Sequence, residues 1–261
     1  MLVRPAPDVV AITEGGLQMG LGLSNEVLAL GMLLAGIRFL NIGLKGGDPS
    51  TTSADRRATY HKAVEAAKGL KAPSGDCLEI CAGFGFSLPV IEGGGSWQVQ
   101  GVDGGWVASM FARLNRLKVK YARIERMPFA DQSFDHAIGV ECVVCLDHPK
   151  PSMQEIARVL RPGGLLTIAE FRLGSLARAE RVLGDLAAAS GLSLLGITDL
   201  TKDARRSVLS GAGERAAFVR RIPPPFRNWA FELAAMPGSV RHREWDEGLR
   251  CYYIAQFQKP E

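Results

Sequence analysis

Leu78–Glu79–Ile80–Cys81–Ala82–Gly83–Phe84–Gly85 is an apolar run that breaks into a turn of small residues, and Phe86–Ser87–Leu88 follows it. The pattern reads as a buried strand, a tight turn and the approach to a helix. Glycines at 83 and 85 let a backbone come close to a ligand, and a helix start offers N–H donors. The same turn also serves plain architecture, so the stretch alone leaves both readings open. A dinucleotide fingerprint would place a third glycine at 88, where Leu88 stands, which argues against a nicotinamide enzyme of the usual form.

Outward from this turn, short apolar runs recur at Cys77–Ala82, Val99–Asp103, Val119–Ile124, Phe134–Glu141, Leu165–Phe171, Leu192–Leu200 and Leu249–Phe257. Segments 105–116, 152–160 and 176–189 between them have helical spacing, and Ala54–Leu70 reads as a helix ahead of the first run. Strands alternating with helices indicate βαβ units and a mostly parallel sheet, an α/β doubly wound fold. Residues 201–248 interrupt the rhythm with Arg205–Arg206, Arg220–Arg221 and Pro223–Pro224–Pro225, and read as a helical insertion before the last strand. Two regions are expected: an N-terminal helical lid over 1–53, and a main domain over 54–261 carrying a cap insertion at 201–248.

Bulk properties narrow the function classes. The chain has 261 residues, 47% hydrophobic and 22% charged, which excludes disorder, collagen and coiled coil. Its 31 basic and 27 acidic residues give +4, too mild a bias to argue for nucleic acid, and no basic tail accompanies it. Val27–Ile37 is strongly apolar but only eleven residues long, too short to span a bilayer, so stable membrane insertion is not expected. Pro5 and Asp8 interrupt any early apolar run, and the five cysteines are sparse, which points to reduced thiols and a cytoplasmic setting.

Asp103 ends the second run of the alternation. An acid there can accept from ribose hydroxyls in doubly wound folds, or can cap the following helix. Met127–Pro128–Phe129–Ala130–Asp131 makes a turn before the strand at 134–141. Arg158–Val159–Leu160–Arg161–Pro162–Gly163–Gly164 stops a helix and leads into the next strand.

These four motifs, in this order over about residues 75–172, resemble class I S-adenosylmethionine-dependent methyltransferases of the type 11 small-molecule group, with a weaker likeness to phthiotriol and fatty-acid O-methyltransferases. The resemblance implies a seven-stranded Rossmann-like sheet with an antiparallel last strand, S-adenosylmethionine as cofactor, and a small, hydrophobic metabolite as substrate, methylated most readily on oxygen. It implies a cofactor site at Glu79, Cys81, Ala82, Gly83 and Gly85 beside the methionine part, Asp103 and Gly104 at the ribose, Ile124 and Glu125 flanking adenine, and Glu141 and Cys142 facing the methyl group.

Three positions depart from the family pattern. Cys81 replaces a glycine of the turn, Arg123 replaces the acid that contacts the adenine amine, and Val144 and Cys145 stand where relatives carry a histidine base. A guanidinium cannot accept from an amine. Candidate catalytic groups are therefore His148, in the loop after the fourth strand, with Glu141 and Glu170 at the ends of neighbouring strands. A cofactor-binding relative that has lost or changed the reaction remains a second reading.

The cysteines do not suggest a metal. Cys77 and Cys81 on one strand would sit about 13 Å apart, too far for one zinc with bonds near ~2.3 Å. Arg205, Arg206, Arg220 and Arg221 read as a solvated face, or as a clamp for a substrate anion.

Overall fold

The computed structural model describes residues 52–70, 74–143, 146 and 148–261, together with Glu26, Ala29, Leu30, Gly31, Leu33, Asn41, Gly43 and Leu44. Most of 1–53, including most of Val27–Ile37, lies outside the described residues, as do Val144 and Cys145.

Chain order is α1 (Thr52–Leu70), β1 (Ser74–Ile80), α2 (Leu88–Gly93), β2 (Ser96–Asp103), α3 (Trp106–Leu114), β3 (Val119–Tyr121), β4 (Phe134–Val140), α4 (Pro149–Val159), β5 (Leu160–Leu173), α5 (Leu176–Ala188) and β6 (Ser193–Asp199). Four further helices follow, α6 (Thr201–Ser210), α7 (Ala212–Arg221), α8 (Arg227–Leu233) and α9 (Val240–Asp246), with a 3-10 turn at Pro224–Phe226, and then β7 (Arg250–Gln258). The seven strands form one sheet in the order β3-β2-β1-β4-β5-β7-β6. β7 runs antiparallel to both neighbours, while the pairs β1–β2, β1–β4, β2–β3 and β4–β5 are parallel. The expected sheet and its antiparallel last strand are both present.

Alternate residues of each strand feed opposite faces, which is why two separate cores form. Leu78, Ile80, Ala137, Leu166, Ile168 and Tyr253 pack on one face beneath α4 and α5. Cys77, Val99, Ile138, Ala169 and Tyr252 pack on the other, beneath Tyr60, Ala63, Val64 and Ala67 of α1. Those four α1 positions follow the i, i+3, i+4, i+7 spacing of a helix with one buried face.

Boundaries differ from the sequence reading in several places. β3 ends at Tyr121, not 124, because the backbone leaves the edge strand once Ala122 N–H has bonded Asp103 O at 3.0 Å. β5 begins at Leu160 instead of Leu165, since Leu160 already pairs with Phe134. The helix that the glycine turn approaches is α2; Pro at its first turn and buried Leu88 and Ile91 place it against β2. Two arginine clusters explain the other motifs. Arg158 bonds Glu155 at 2.7 Å, Asp131 at 2.5 Å and Phe129 O at 3.0 Å, which fixes the turn at 127–131. Arg161 bridges Asp135 at 2.5 Å and Asp76 at 3.1 Å, lacing β1, β4 and β5 at their amino edge.

Candidate active site

The opposite, carboxyl edge of the sheet collects the chemistry. β1 leaves the sheet through Cys81 at φ 56°, and β4 leaves through Glu141 at φ 52°. Both residues take the left-handed conformation that ordinary residues avoid, and such strain concentrates where a fold over-determines a site. Gly83 (φ 53°) and Gly85 (φ 76°) continue the first of these turns. A Cβ on Gly83 would meet nothing within 4 Å, so the turn opens on space. A Cβ on Gly85 would press Val119 and Leu117 at 2.8 and 3.2 Å, so that glycine serves packing.

Asp103 ends β2 beside this turn. Its Oδ2 accepts from Gly83 N–H at 2.8 Å and its Oδ1 from Gly105 N–H at 2.7 Å. Each oxygen keeps a lone pair for a ligand hydroxyl. Burial raises its pKa; the Gly105 and Gly83 N–H bonds oppose this, and the nearby Glu26 carboxylate adds to the rise. Glu26 reaches the same place from the N-terminal segment, accepting from Trp106 N–H at 2.6 Å and Val107 N–H at 2.7 Å at the start of α3.

Glu79 is 1% exposed. Burial pushes its carboxyl up to about 8; hydrogen bonds from Ser87 and Tyr60 pull it down, and Asp103 raises it. Its Oε2 is buried without a hydrogen-bond partner. A bare carboxylate oxygen is costly to bury, and an ammonium group of a ligand would satisfy it.

Glu141, Glu170, Cys81, Cys142 and Tyr252 gather next to these groups. Tyr252 donates its hydroxyl to Glu141 Oε1 at 3.1 Å. Burial, then the Glu141 and Glu170 carboxylates, hold that phenol well above its usual pKa. Glu141 N–H bonds Ala169 O at 2.7 Å, which sets Glu141 beside Glu170 on β5. Glu170 is buried, and its Oε1 accepts from Phe171 N–H at 3.0 Å. The Cys81 thiol is in hydrogen-bond contact with Cys142, which with burial pushes it up.

Other expected residues sit apart. Ile124 has its side chain in the core, so only its backbone is available to a ligand. Arg123 is exposed and pairs with Glu125 at 3.4 Å. A Cβ on Gly104 would find only Ala122 O at 3.8 Å, so the turn after Asp103 is open. His148 is exposed; its carbonyl accepts from Ser152 N–H and Oγ at the start of α4. Arg205 does not form an anion clamp: it bonds Trp245 O at 3.0 Å and Asp246 O at 2.5 Å, tying α6 to α9.

Sequence reasoning missed Tyr60, Ser87, Tyr252 and Glu26. Tyr252 carried a signal, because an antiparallel last strand brings its first residues to the carboxyl edge of its neighbours. Nothing in the sequence marked Glu26.

Above this edge an apolar roof forms from four separate stretches. Ala29, Phe84, Ala108, Phe218, Ile222 and Ala230 make one buried cluster, with Leu33, Phe86, Phe111 and Trp229 packed against it. Phe84, Phe86 and Phe111 stack with centroids 5.5 to 6.3 Å apart.

A family described as a methyltransferase domain, type 11, matches residues 78–168, the stretch holding the glycine turn, Asp103 and Glu141. Residues 78–168 of this chain form a methyltransferase domain. Its cofactor is S-adenosylmethionine, and the open turn at Gly83, the bonded Asp103 and the unpartnered Glu79 oxygen fit that group. Among similar curated proteins, O-methyltransferase resE of Aspergillus sclerotiorum is 29% identical over 144 residues, 52% of this chain and 54% of that protein. The phthiotriol/phenolphthiotriol dimycocerosates methyltransferase of Mycobacterium leprae is 30% identical over 136 residues, 52% of this chain and 49% of that protein. The chain thus spans about half the length of each relative. In fold, the methyltransferase domain and its flanking helices superpose on the (4+2)-cyclase SpnF with a TM-score of 0.74 at 20% identity, over 92% of this chain and 94% of that one.

Proposed function

We propose that the protein transfers the methyl group of S-adenosylmethionine to a hydroxyl oxygen of a small apolar metabolite. The observation that carries this reading is the Tyr252–Glu141 pair, 3.1 Å apart, at the carboxyl edge under an apolar roof. Bound S-adenosylmethionine supplies an electrophilic methyl on a sulfonium. Glu79 and the turn at Cys81–Ala82–Gly83–Gly85 would hold the methionine end, Asp103 and Gly104 the ribose, and Ile124 and Glu125 the adenine through their backbone. Cys142, buried next to Glu141 and in contact with Cys81, would lie beneath the methyl group.

Holding the acceptor in line with the methyl group can supply most of the rate. A hydroxyl also has a proton to lose, and Glu141, oriented by Tyr252, is the group we assign to take it. Glu170 and His148 are the alternates. The N-terminal lid over 1–53 and the insertion over 201–248 would close the roof and exclude water. That roof's phenylalanines favour an apolar acceptor over a nucleotide or sugar phosphate.

A second reading keeps the cofactor and changes the reaction, to N- or C-methylation or to no methyl transfer. Arg123, paired with Glu125 where an acceptor for the adenine amine was expected, favours keeping it in view. The experiment is incubation of purified protein with methyl-labelled cofactor and a panel of hydroxylated apolar compounds and amines. Label in an ether product supports oxygen methylation; cofactor binding without label transfer supports the second reading. With an accepted substrate, Glu141→Gln should lower turnover about 10²–10⁴-fold. If Glu141→Gln, Glu170→Gln and His148→Ala all turn over normally, positioning alone carries the reaction.

A further inference from the structure

Helix α3 is built the wrong way round for a helix that packs only on its own sheet. Its buried residues are small, Ala108, Ser109 and Ala112. Val107 and Phe111 pack into the roof, but three other large apolar residues point outward: Trp106 is 54% exposed, Met110 36% and Leu114 75%. They recur at i, i+4, i+8 and so form one stripe about 12 Å long. Tyr121, at the end of the edge strand β3, is 60% exposed in the same α3–β3 unit. Single exposed apolar residues are ordinary, but a continuous stripe of large ones marks an interaction site.

The charge of the same unit is equally one-sided. Between 113 and 126 stand Arg113, Arg116, Lys118, Lys120, Arg123 and Arg126 against the single acid Glu125, a net +5. The whole chain carries +4, so everything outside this segment has a net −1. All six cations are exposed. Arg123 pairs with Glu125, and Lys120 lies over the Phe129 ring at 4.4 Å. Arg113, Arg116, Lys118 and Arg126 have no ion pair among the described residues.

We propose that the α3–β3 face docks reversibly on an anionic lipid surface, with Trp106, Met110 and Leu114 entering the headgroup boundary and the basic rim meeting the lipid phosphates. An amphipathic helix with a tryptophan-bearing apolar face and flanking cations lies in the plane of such an interface. Complementary charge selects this occupant. A second copy docking through the same patch would set +5 against +5 in a two-fold contact. A nucleic acid would leave the aliphatic Met110 and Leu114 without a stacking role. The face is independent of which atom is methylated. It does touch the roof: Ala108 of α3 packs with Ala29, Phe218 and Ile222, and Glu26 bonds the first N–H groups of α3. A chain resting on this face would hold its roof close to the lipid phase, where an apolar acceptor accumulates.

The test is flotation of the full chain with vesicles of phosphatidylcholine alone and of equal parts phosphatidylcholine and phosphatidylglycerol, at low and high salt. Binding is expected only with the anionic vesicles, weakened by salt, with tryptophan emission shifted to the blue. The Arg116→Gln/Lys118→Gln double variant should lower the partition coefficient on the order of twentyfold, about fivefold per charge. Leu114→Asp should abolish binding, and Leu114→Ser should weaken it if the aspartate variant folds poorly. All variants should keep cofactor binding. No flotation of the unmodified chain, or equal flotation of the charge variant, overturns the proposal. So does a dimer in sedimentation or a gel shift with single-stranded RNA that the same substitutions remove.

Discussion

Tyr252, third residue of the antiparallel β7, donates its hydroxyl to Glu141, the left-handed residue that follows β4, over 3.1 Å. The bond joins two strands that are not neighbours in the sheet, since β5 lies between them. It fixes the direction of a carboxylate at the edge where the methyl acceptor would lie. If Glu141 takes the proton as proposed, Tyr252 is a positioning residue, and Tyr252→Phe should lower kcat about tenfold, the worth of one hydrogen bond to a charged group, with cofactor affinity unchanged. A donor to a carboxylate favours its charged form, so its loss raises the Glu141 pKa. The rising limb of the pH–rate profile should move to higher pH in Tyr252→Phe. A limb that stays in place, with a uniform loss of rate, would assign Tyr252 to packing alone.

Asp103 organises the turn, and on the proposed reading its oxygens also hold the ribose. Asp103→Ala removes an acceptor from Gly83 N–H and from Gly105 N–H. Losing a charged hydrogen-bond partner costs about 1.5–3 kcal/mol, so affinity for S-adenosylmethionine should fall tenfold or more. Titration calorimetry reads this directly, and unchanged affinity would remove Asp103 from the cofactor site.

Gly83 tests close approach. Its φ of 53° strains any larger residue, yet a Cβ there meets no protein atom within 4 Å. The strain alone is about 1–2 kcal/mol, which a domain of this size can absorb. Gly83→Val should fold, by circular dichroism, and fail to bind S-adenosylmethionine. Normal binding by this variant would show that the open space is not where the cofactor lies.

Glu79 predicts two pH effects. Its carboxyl titrates at about 8 in the fold against 4.5 ordinarily, so between those values the folded chain holds a proton that the unfolded chain lacks. Its contribution to stability is fully present below about 4.5 and is lost as pH rises through about 8. Glu79→Gln, neutral at every pH, should flatten this slope. The Tm of the unmodified protein should fall roughly 5–10 °C more than that of the variant across the window. Binding a ligand ammonium at Glu79 should expel the same proton. Calorimetry at neutral pH in buffers of different ionisation enthalpy should detect proton release, absent in Glu79→Gln.

The alternation of apolar runs with helical segments determined the doubly wound sheet by itself, because strand and helix periods are local properties of the chain. The glycine turn and Asp103 were legible for the same reason: close backbone approach needs particular residues at a particular spacing after a strand. Strand ends were less legible. Whether Leu160 joins β5 or Ile124 leaves β3 depends on which partner strand is still alongside, and that is a long-range fact. The rest of the site belongs to tertiary structure alone. Tyr60, Ser87 and Glu79 meet because α1 packs on the face of the sheet to which Glu79 points. Tyr252 reaches Glu141 because β7 enters the sheet in reverse. Sequence spacing carries no trace of a contact between residues 141 and 252, since the 111 positions separating them are brought together only by the order of strands in the sheet. The outward-facing large residues of α3 were likewise hidden: the sequence shows that they are apolar, and only the packed helix shows that they face away from the core.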